Sequence, residues 1–141
     1  MKRIIFVTIS MLLVSLSTYP QFSSSFYHSV SSSKVGIGYF FNDRIFSEVR
    51  LYGGLSIDNF TAEPIVTFNF CQKEVYNAYV GTGMVINYLT GPVFPLGVYI
   101  KPFESLRKFR ICIEAEPMYD IDNEVFLFNC SAGFVYSFQE K

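Results

Sequence analysis

Past residue 33, the apolar residues of this chain recur at every second position. A period of two places alternate side chains on opposite faces of a β-strand, whereas a helix requires a period near 3.6. The alternation is interrupted only by short polar segments, so it predicts an all-β fold. Seven runs carry it, and they cover residues 34–41, 45–52, 62–70, 76–88, 94–101, 109–116 and 126–138.

The segments between the runs are too short for crossover connections, which predicts an up-and-down antiparallel meander. Three compact polar turns (42–44, 71–74 and 104–106) alternate with three further connections (53–59, 90–92 and 120–123). Gln21 to Val30 supplies an eighth strand, but this Ser-rich piece is equally consistent with a leader. An even count matches single-chain bacterial membrane barrels. We therefore predict one domain, residues 21–138, folded as a closed antiparallel β-barrel of about eight transmembrane strands.

The distribution of charge decides which face of the barrel is outside. Only 16% of the chain is charged, against roughly 25% in ordinary soluble domains, and a soluble barrel must cover its exterior with charge. The charges within the strands also share a face with the glycines. Small residues beside large polar ones suit the narrow lumen of an eight-stranded barrel. This face is therefore predicted to be the interior, and the shared glycines are Gly36, Gly38, Gly81, Gly83, Gly97 and Gly133.

Buried ions must be paired and hydrogen-bonded, and the strand charges are nearly balanced. They predict a polar network that plugs the lumen, and we weigh this structural role above transport. Its predicted members are Glu48, Arg50, Glu63, Lys101, Arg110, Glu114 and Glu116.

Aromatic residues cluster near the strand ends, as expected where rings meet lipid headgroups. One predicted girdle contains Phe41, Phe70, Tyr76, Phe109 and Phe138, and the other contains Tyr52, Phe60, Tyr88, Phe94, Tyr119 and Phe126. Pro64 and Pro117 lie within predicted strands although proline cannot donate to a ladder. We expect a bulge at each, or strands that begin after Pro64 and end before Pro117.

The N-terminus has the pattern of a secretory signal peptide. A basic start at Lys2 and Arg3 precedes thirteen uncharged residues, Ile4 to Leu16, which are too few to span a bilayer as a helix. Small residues at Ser15 and Ser17 favour cleavage after residue 17, and the cleaved segment extends at most to about residue 20. Export to the cell envelope follows from this prediction.

Other classes of site find little support. The net charge of the chain is near zero, which does not indicate a basic surface for nucleic acid. No sequence motif indicates a cofactor or a metal. Glu114 and Glu116 lie two apart, which on a strand merely places both on one face. The three cysteines have no metal-like spacing, and Cys112 and Cys130 are predicted to face opposite ways and remain unbridged. We expect no catalytic residues and no enzymatic activity.

Four segments resemble small outer-membrane β-barrel proteins of the Bacteroidota type. They are GYFFNDRI (38–45), YIKPFE (99–104), EAEPMYD (114–120) and SAGFVYSF (131–138). The resemblance covers roughly residues 34–138 and implies an OmpA/OmpX-like eight-stranded barrel in the outer membrane of a Gram-negative bacterium. It also implies that Asn42 and Asp43 face the periplasm. The family's closing strand ends at a Phe that serves the insertion machinery, whereas here residues 139–141 follow Phe138.

These observations together predict a non-enzymatic integral outer-membrane protein with a structural, envelope-stabilising or surface-interacting role. Its expected partners are the lipid bilayer and, during assembly, the outer-membrane insertion machinery. The alternatives are a secreted soluble barrel that binds an apolar ligand in the manner of lipocalins, and a narrow pore or a lipid-acting membrane-barrel enzyme.

Overall fold

The chain folds into a closed eight-stranded antiparallel β-barrel, as the alternation predicts. A computed structural model describes residues 21–53, 60–87 and 89–138, and the predicted signal peptide lies outside these residues. None of the described residues forms a helix long and apolar enough to cross a membrane. The strands are β1 Phe22–Ser29, β2 Ser33–Phe40, β3 Ile45–Gly53, β4 Ala62–Gln72, β5 Tyr76–Val85, β6 Gly91–Val93, β7 Leu96–Ile100, β8 Phe109–Asp120 and β9 Val125–Ser137.

The barrel closes because β1 pairs with both β2 and β9, while every other strand pairs with its neighbours in sequence. The segment Gln21–Val30, whose interpretation was open, therefore supplies the strand that completes the ring. β6 and β7 are two halves of one barrel strand, since both pair with β5 and with β8. The predicted connection at 90–92 is wrong at its end, because Gly91 and Pro92 belong to β6.

Pro117 does not end its strand, contrary to the prediction. β8 continues past it, and Pro117 pairs with Phe128 of β9 in unbroken register. On the other side the Pro117 carbonyl accepts a hydrogen bond from the Phe94 amide at 3.0 Å. Phe94 lies in the break between β6 and β7, so the donor that proline lacks falls where the neighbouring strand is already interrupted.

Pro64 likewise lies inside its strand and not at a bulge. It pairs with Val49 of β3 in regular register, and the ladder to β5 resumes on either side of it. Ala62 exchanges two backbone hydrogen bonds with Ile86, at 3.2 and 2.9 Å. The long pairings of β4 with β3 and with β5 thus tolerate the missing backbone N–H of Pro64. The irregularity between β4 and β5 falls nearer the turn, between Asn69 and Cys71.

The two faces of the sheet differ sharply in polarity. Apolar side chains of the strands point outward and are exposed, as Ile37 is at 68%. Inward positions hold large polar side chains, buried aromatic and apolar residues, and glycines. A Cβ at Gly36 would lie 2.5 Å from Glu48 Oε1, and one at Gly97 would lie 2.7 Å from the Tyr79 hydroxyl. These glycines therefore leave the space that the large inward side chains occupy.

The two ends of the barrel are distinguished by their connections. The turn end carries residues 41–44, 73–75 and 101–108, including a 3-10 turn at Glu104–Leu106. Of the described residues, the loop end carries 30–32, 86–87, 89–90 and 121–124. Exposed aromatic rings lie near both. Of the predicted girdles, Phe109 is half-buried, Tyr52 points inward, Tyr88 lies outside the described residues, and the exposed members are Phe41, Phe70, Tyr76, Phe138, Phe60, Phe94, Tyr119 and Phe126.

Candidate functional site: the ion cluster in the barrel interior

Six charged side chains from four strands meet in the middle of the barrel. Period two aims Glu48 and Arg50 of β3 inward together, and the register sets Arg50 directly opposite Glu63. On the other side of Arg50 lies Gly36 of β2, which leaves room for the carboxylate of Glu48. All six are at most 3% exposed. We call this group the ion cluster, and its members are Lys34, Glu48, Arg50, Glu63, Glu114 and Glu116.

Arg50 is the centre of the ion cluster because it contacts all four carboxylates. Its guanidinium donates two hydrogen bonds to Glu114, from Nη1 to Oε1 at 2.6 Å and from Nη2 to Oε2 at 2.8 Å. Nε donates to Glu48 Oε2 at 2.7 Å, and Nη1 also lies 3.2 Å from oxygens of Glu63 and Glu116. The Tyr27 ring packs 4.1 Å from the guanidinium carbon. The planar guanidinium of an arginine has five N–H donors and can bind several carboxylates at once, whereas the ammonium group of a lysine cannot reproduce this geometry.

Lys34 is the second cation of the ion cluster. Its Nζ lies 2.8 Å from Glu63 Oε2 and 2.5 Å from Glu116 Oε1. The predicted network omitted this residue, although the alternation of Lys34 with Gly36 and Gly38 already places it on the inner face. Lys34 of β2 thus links a carboxylate of β4 to a carboxylate of β8.

Three tyrosine hydroxyls complete the coordination of the carboxylates. Tyr79 donates to Glu114 at 2.5 Å, Tyr52 donates to Glu63 at 2.8 Å, and Tyr27 donates to Glu48 at 3.1 Å. Ser25 also donates to Glu48. Hydrogen bonds to charged groups are stronger than neutral ones, and each one satisfies a lone pair that burial would otherwise leave unpaired. The cluster is therefore a connected network, and all four carboxylates have several partners.

The ion cluster carries more negative than positive groups. Four carboxylates against one lysine and one arginine give a formal charge of −2 when all are ionised. Removing a cation from such a site leaves carboxylates without a positive partner, whereas removing one carboxylate leaves both cations still paired with the others. This asymmetry has consequences for stability.

Two residues of the predicted network lie elsewhere. Arg110 points inward and is 8% exposed, but its Nη2 donates to Ser137 Oγ at 2.5 Å. Its guanidinium packs against the Phe40 ring at 4.5 Å. None of the ion pairs among the described residues includes Arg110. Lys101 lies just beyond the end of β7 and is only partly buried. The structure therefore brings together five of the seven predicted residues and adds Lys34.

Apolar and aromatic layers lie on both sides of the ion cluster. The inward residues of β8 give the order, from Met118 through Glu116 and Glu114 to Cys112 and then Arg110. Met118 belongs to an apolar group with Ile65, Val85 and Val93 near the loop end. Cys112 belongs to a second buried group towards the turn end, which also contains Tyr27, Tyr79, Tyr99 and Val135.

Beyond the second layer, the turn end opens into a cavity of about 1510 Å³. We call this cavity the vestibule. Arg110 lines it, and polar residues of the turns and of the adjoining strand ends form most of its wall. Its lining is Gln21, Phe40, Asp43, Asn69, Gln72, Lys73, Glu74, Val75, Asn77, Lys101, Pro102, Phe103, Glu104, Arg107, Arg110 and Ser137.

The described residues contain no cluster of three or more histidine, cysteine or acidic side chains arranged to hold a metal ion. His28 is exposed, and its Nδ1 lies 2.9 Å from Ser33 Oγ. Cys112 is buried, Cys130 is exposed on the outer face, and both are free thiols, as is Cys71. Cys130 pairs across the final hairpin with Ala115.

The fold is that of small outer-membrane β-barrels. The N-terminal β-barrel domain of Pseudomonas aeruginosa OprF superposes with a TM-score of 0.61 at 14% identity, over 84% of this chain and 96% of that chain. Neisserial surface protein A matches with a TM-score of 0.55 at 13% identity, over 84% and 94%. Yersinia pestis Ail matches with a TM-score of 0.51 at 16% identity, over 85% and 100%. At these identities the likeness concerns the fold.

No protein-family model matches the sequence, and no curated protein matches it significantly.

Proposed function

We propose that this protein is an integral outer-membrane β-barrel with a non-enzymatic, structural role in the cell envelope and a closed lumen. The observation that carries the proposal is the inverted polarity of the wall, with apolar side chains exposed outside and an ion cluster buried within. In a bilayer the outer face meets hydrocarbon, and backbone groups are satisfied because a closed barrel has no free edge.

The exterior supports a bilayer rather than water as the surroundings. Residues at the middle of strands, such as Ile37 of β2 and Ile113 of β8, are 68% and 57% exposed. Soluble monomers rarely expose contiguous apolar patches larger than a few hundred Å², and here such positions recur on all sides of the barrel. Most strands reach or approach the roughly 9–11 residues that a tilted transmembrane strand requires. The soluble lipocalin-like alternative would need a polar exterior.

The exposed aromatic rings near the turn end and the loop end give further support. They lie where headgroups meet the hydrocarbon region if the strands cross the membrane. Export through the signal peptide predicted at residues 1–17, and assembly by the outer-membrane insertion machinery, complete this proposal. We also propose that the protein comes from a Gram-negative bacterium of the Bacteroidota type.

Closure of the lumen is supported by three consecutive layers of buried side chains. The apolar group around Met118, the ion cluster around Arg50 and the aromatic group around Tyr99 each fill the interior with residues that are almost fully buried. An ion that crosses the barrel would have to displace paired charges in the middle layer. A structural role follows, since these carboxylates are all engaged by cations or hydroxyls.

Cell fractionation with gel electrophoresis tests the membrane location. We expect the mature protein in the outer-membrane fraction, extracted only by detergent, with a faster migrating folded band that shifts on heating. A monomer that stays folded in buffer without detergent would refute the proposal.

Planar-bilayer recording tests the closed lumen separately. Wild-type protein should give no sustained conductance. Arg50→Ala, which empties the centre of the ion cluster, should give openings if it remains folded by heat-modifiable migration. Sustained wild-type channels would contradict closure and favour the narrow-pore alternative.

A further inference from the structure

The vestibule contains a buried cation without an acidic partner. Arg110 is 8% exposed, and the only hydrogen-bond acceptor that the described residues give its guanidinium is Ser137 Oγ. Its Nε is buried and has no hydrogen-bond partner. A buried charge without a counter-ion is costly, and every other buried cation among the described residues, Lys34 and Arg50, lies within 3 Å of a carboxylate oxygen.

Aromatic packing fixes the guanidinium in place. Its carbon lies 4.5 Å from the centre of the Phe40 ring and 5.4 Å from that of Tyr99. The Phe40 ring stacks in turn on Phe46, with centroids 4.2 Å apart. The Phe40 and Tyr99 rings thus pack against the guanidinium at the inner limit of the vestibule without neutralising its charge.

Two more cations line the same cavity. Lys101 and Arg107 come from the connection between β7 and β8. Burial, followed by the charges of Arg110 and Arg107, lowers the pKa of Lys101, while Asp43 acts in the opposite direction. Lys101 is thus close enough to both arginines to be repelled by each of them.

The acidic residues of the vestibule lie farther out. Asp43, Glu74 and Glu104 line the cavity, but all three are exposed, in contrast to Arg110. Exposed charges are screened by water and salt, whereas a buried charge is not. Arg110 is therefore the buried charge at the inner limit of the vestibule. Lys101 is partly buried beside it, and the exposed charges farther out are of both signs, including Arg107 and Lys73.

We propose that the vestibule is a binding site for a phosphate group, held by Arg110 with Lys101 and Arg107. An arginine fork matches the geometry of phosphate oxygens, and three neighbouring cations suit a dianion better than a single carboxylate. The ligand class is a phosphate-bearing small molecule, since about 1510 Å³ exceeds the space that one phosphate occupies.

Titration with inorganic phosphate, followed by calorimetry or by ³¹P line broadening, tests this proposal. The full mature protein is used in a phosphate-free glucoside detergent at low salt. Arg110→Gln should weaken binding at least tenfold, while Arg44→Gln, an exposed arginine outside the vestibule, should leave it unchanged. Heat-modifiable migration reports folding of each variant. Should Arg110→Gln not fold, Lys101→Met, which alters a residue outside the strands, should still weaken binding several-fold.

A second arm distinguishes free phosphate from a lipid headgroup. The titration is repeated in phospholipid nanodiscs. Equal affinity in both media supports a soluble phosphate ligand, whereas competition by the phospholipid supports a headgroup in the same site. Absence of wild-type binding at millimolar phosphate, or equal binding by the Arg110→Gln and Arg44→Gln proteins, would overturn the proposal.

Discussion

The charge excess of the ion cluster predicts that its members differ in their effect on stability. Arg50→Met removes the cation that contacts all four carboxylates, while the methionine keeps much of the volume. It leaves a formal charge of −3 around Lys34 in a buried site. Removal of one partner of a buried pair costs about 3–5 kcal/mol, and we expect the loss of unfolding free energy to lie at the upper end of that range.

Glu116→Gln should behave differently. It removes one of four carboxylates, so three remain against two cations, and the amide oxygen still accepts from Lys34 in place of the carboxylate oxygen at 2.5 Å. We expect a change of at most about 1 kcal/mol, in either direction, because the loss of the ion pairs with Lys34 and Arg50 is offset by reduced repulsion among the remaining carboxylates.

Arg50→Lys separates charge from geometry. It retains the positive charge but cannot reproduce the bidentate contact with Glu114 or the Nε contact with Glu48. The loss should be intermediate between those of Arg50→Met and Glu116→Gln.

Urea unfolding in lipid vesicles, read as the folded fraction on unheated gels, measures all three variants. With a slope of about 2 kcal/mol per molar urea, Arg50→Met should lower the midpoint by about 2 M relative to wild type. If Glu116→Gln is as destabilising as Arg50→Met, the reasoning from charge excess is refuted.

Three further predictions follow from other parts of the barrel. Ile37→Arg on the outer face should cost about 2–4 kcal/mol in vesicles, while Ile37→Leu should cost less than about 1 kcal/mol in the same urea assay. Gly97→Ala, whose Cβ would lie 2.7 Å from the Tyr79 hydroxyl, should cost about 1–3 kcal/mol, whereas Gly53→Ala meets nothing closer than 3.5 Å and should be tolerated. Since the pKa of Lys101 is lowered from 10.5, its charge is lost as pH rises through a value below 10.5. Phosphate binding, titrated at pH 8 to 10.5, should therefore weaken across this range in wild type and remain flatter in Lys101→Met.

The sequence predicts the faces of the strands well because period two leaves only two choices for each strand, and charge decides between them. The inward positions of Glu48, Glu114 and Arg110 follow from this rule alone. The rule does not rank the residues on one face by depth. Arg110 and Glu114 share a face of β8, yet Cys112 separates them, and Arg110 faces the vestibule instead of the ion cluster.

Other features depend on pairing between strands, which the sequence does not specify. The Ser-rich segment Phe22–Ser29 becomes a strand because both β2 and β9 offer it a ladder. Pro117 remains in its strand because the neighbour is interrupted at Phe94. The vestibule is assembled from turns whose local sequences are compact and polar, and no periodic pattern indicates that they enclose a cavity.

In the proposed bilayer location, the interior of this barrel maintains the specificity of folding where the surrounding solvent is apolar. In water, the burial of apolar side chains lowers the free energy of the native fold relative to misfolded alternatives. In a bilayer the outer wall gains little from choosing one register over another, since lipid surrounds every apolar residue equally. A shift of β3 by one residue would instead turn Glu48 and Arg50 into the hydrocarbon and leave Glu114 without its cation. The ion cluster therefore penalises incorrect registers far more than it stabilises the correct one, which explains why charges that are costly to bury lie at the middle of the barrel.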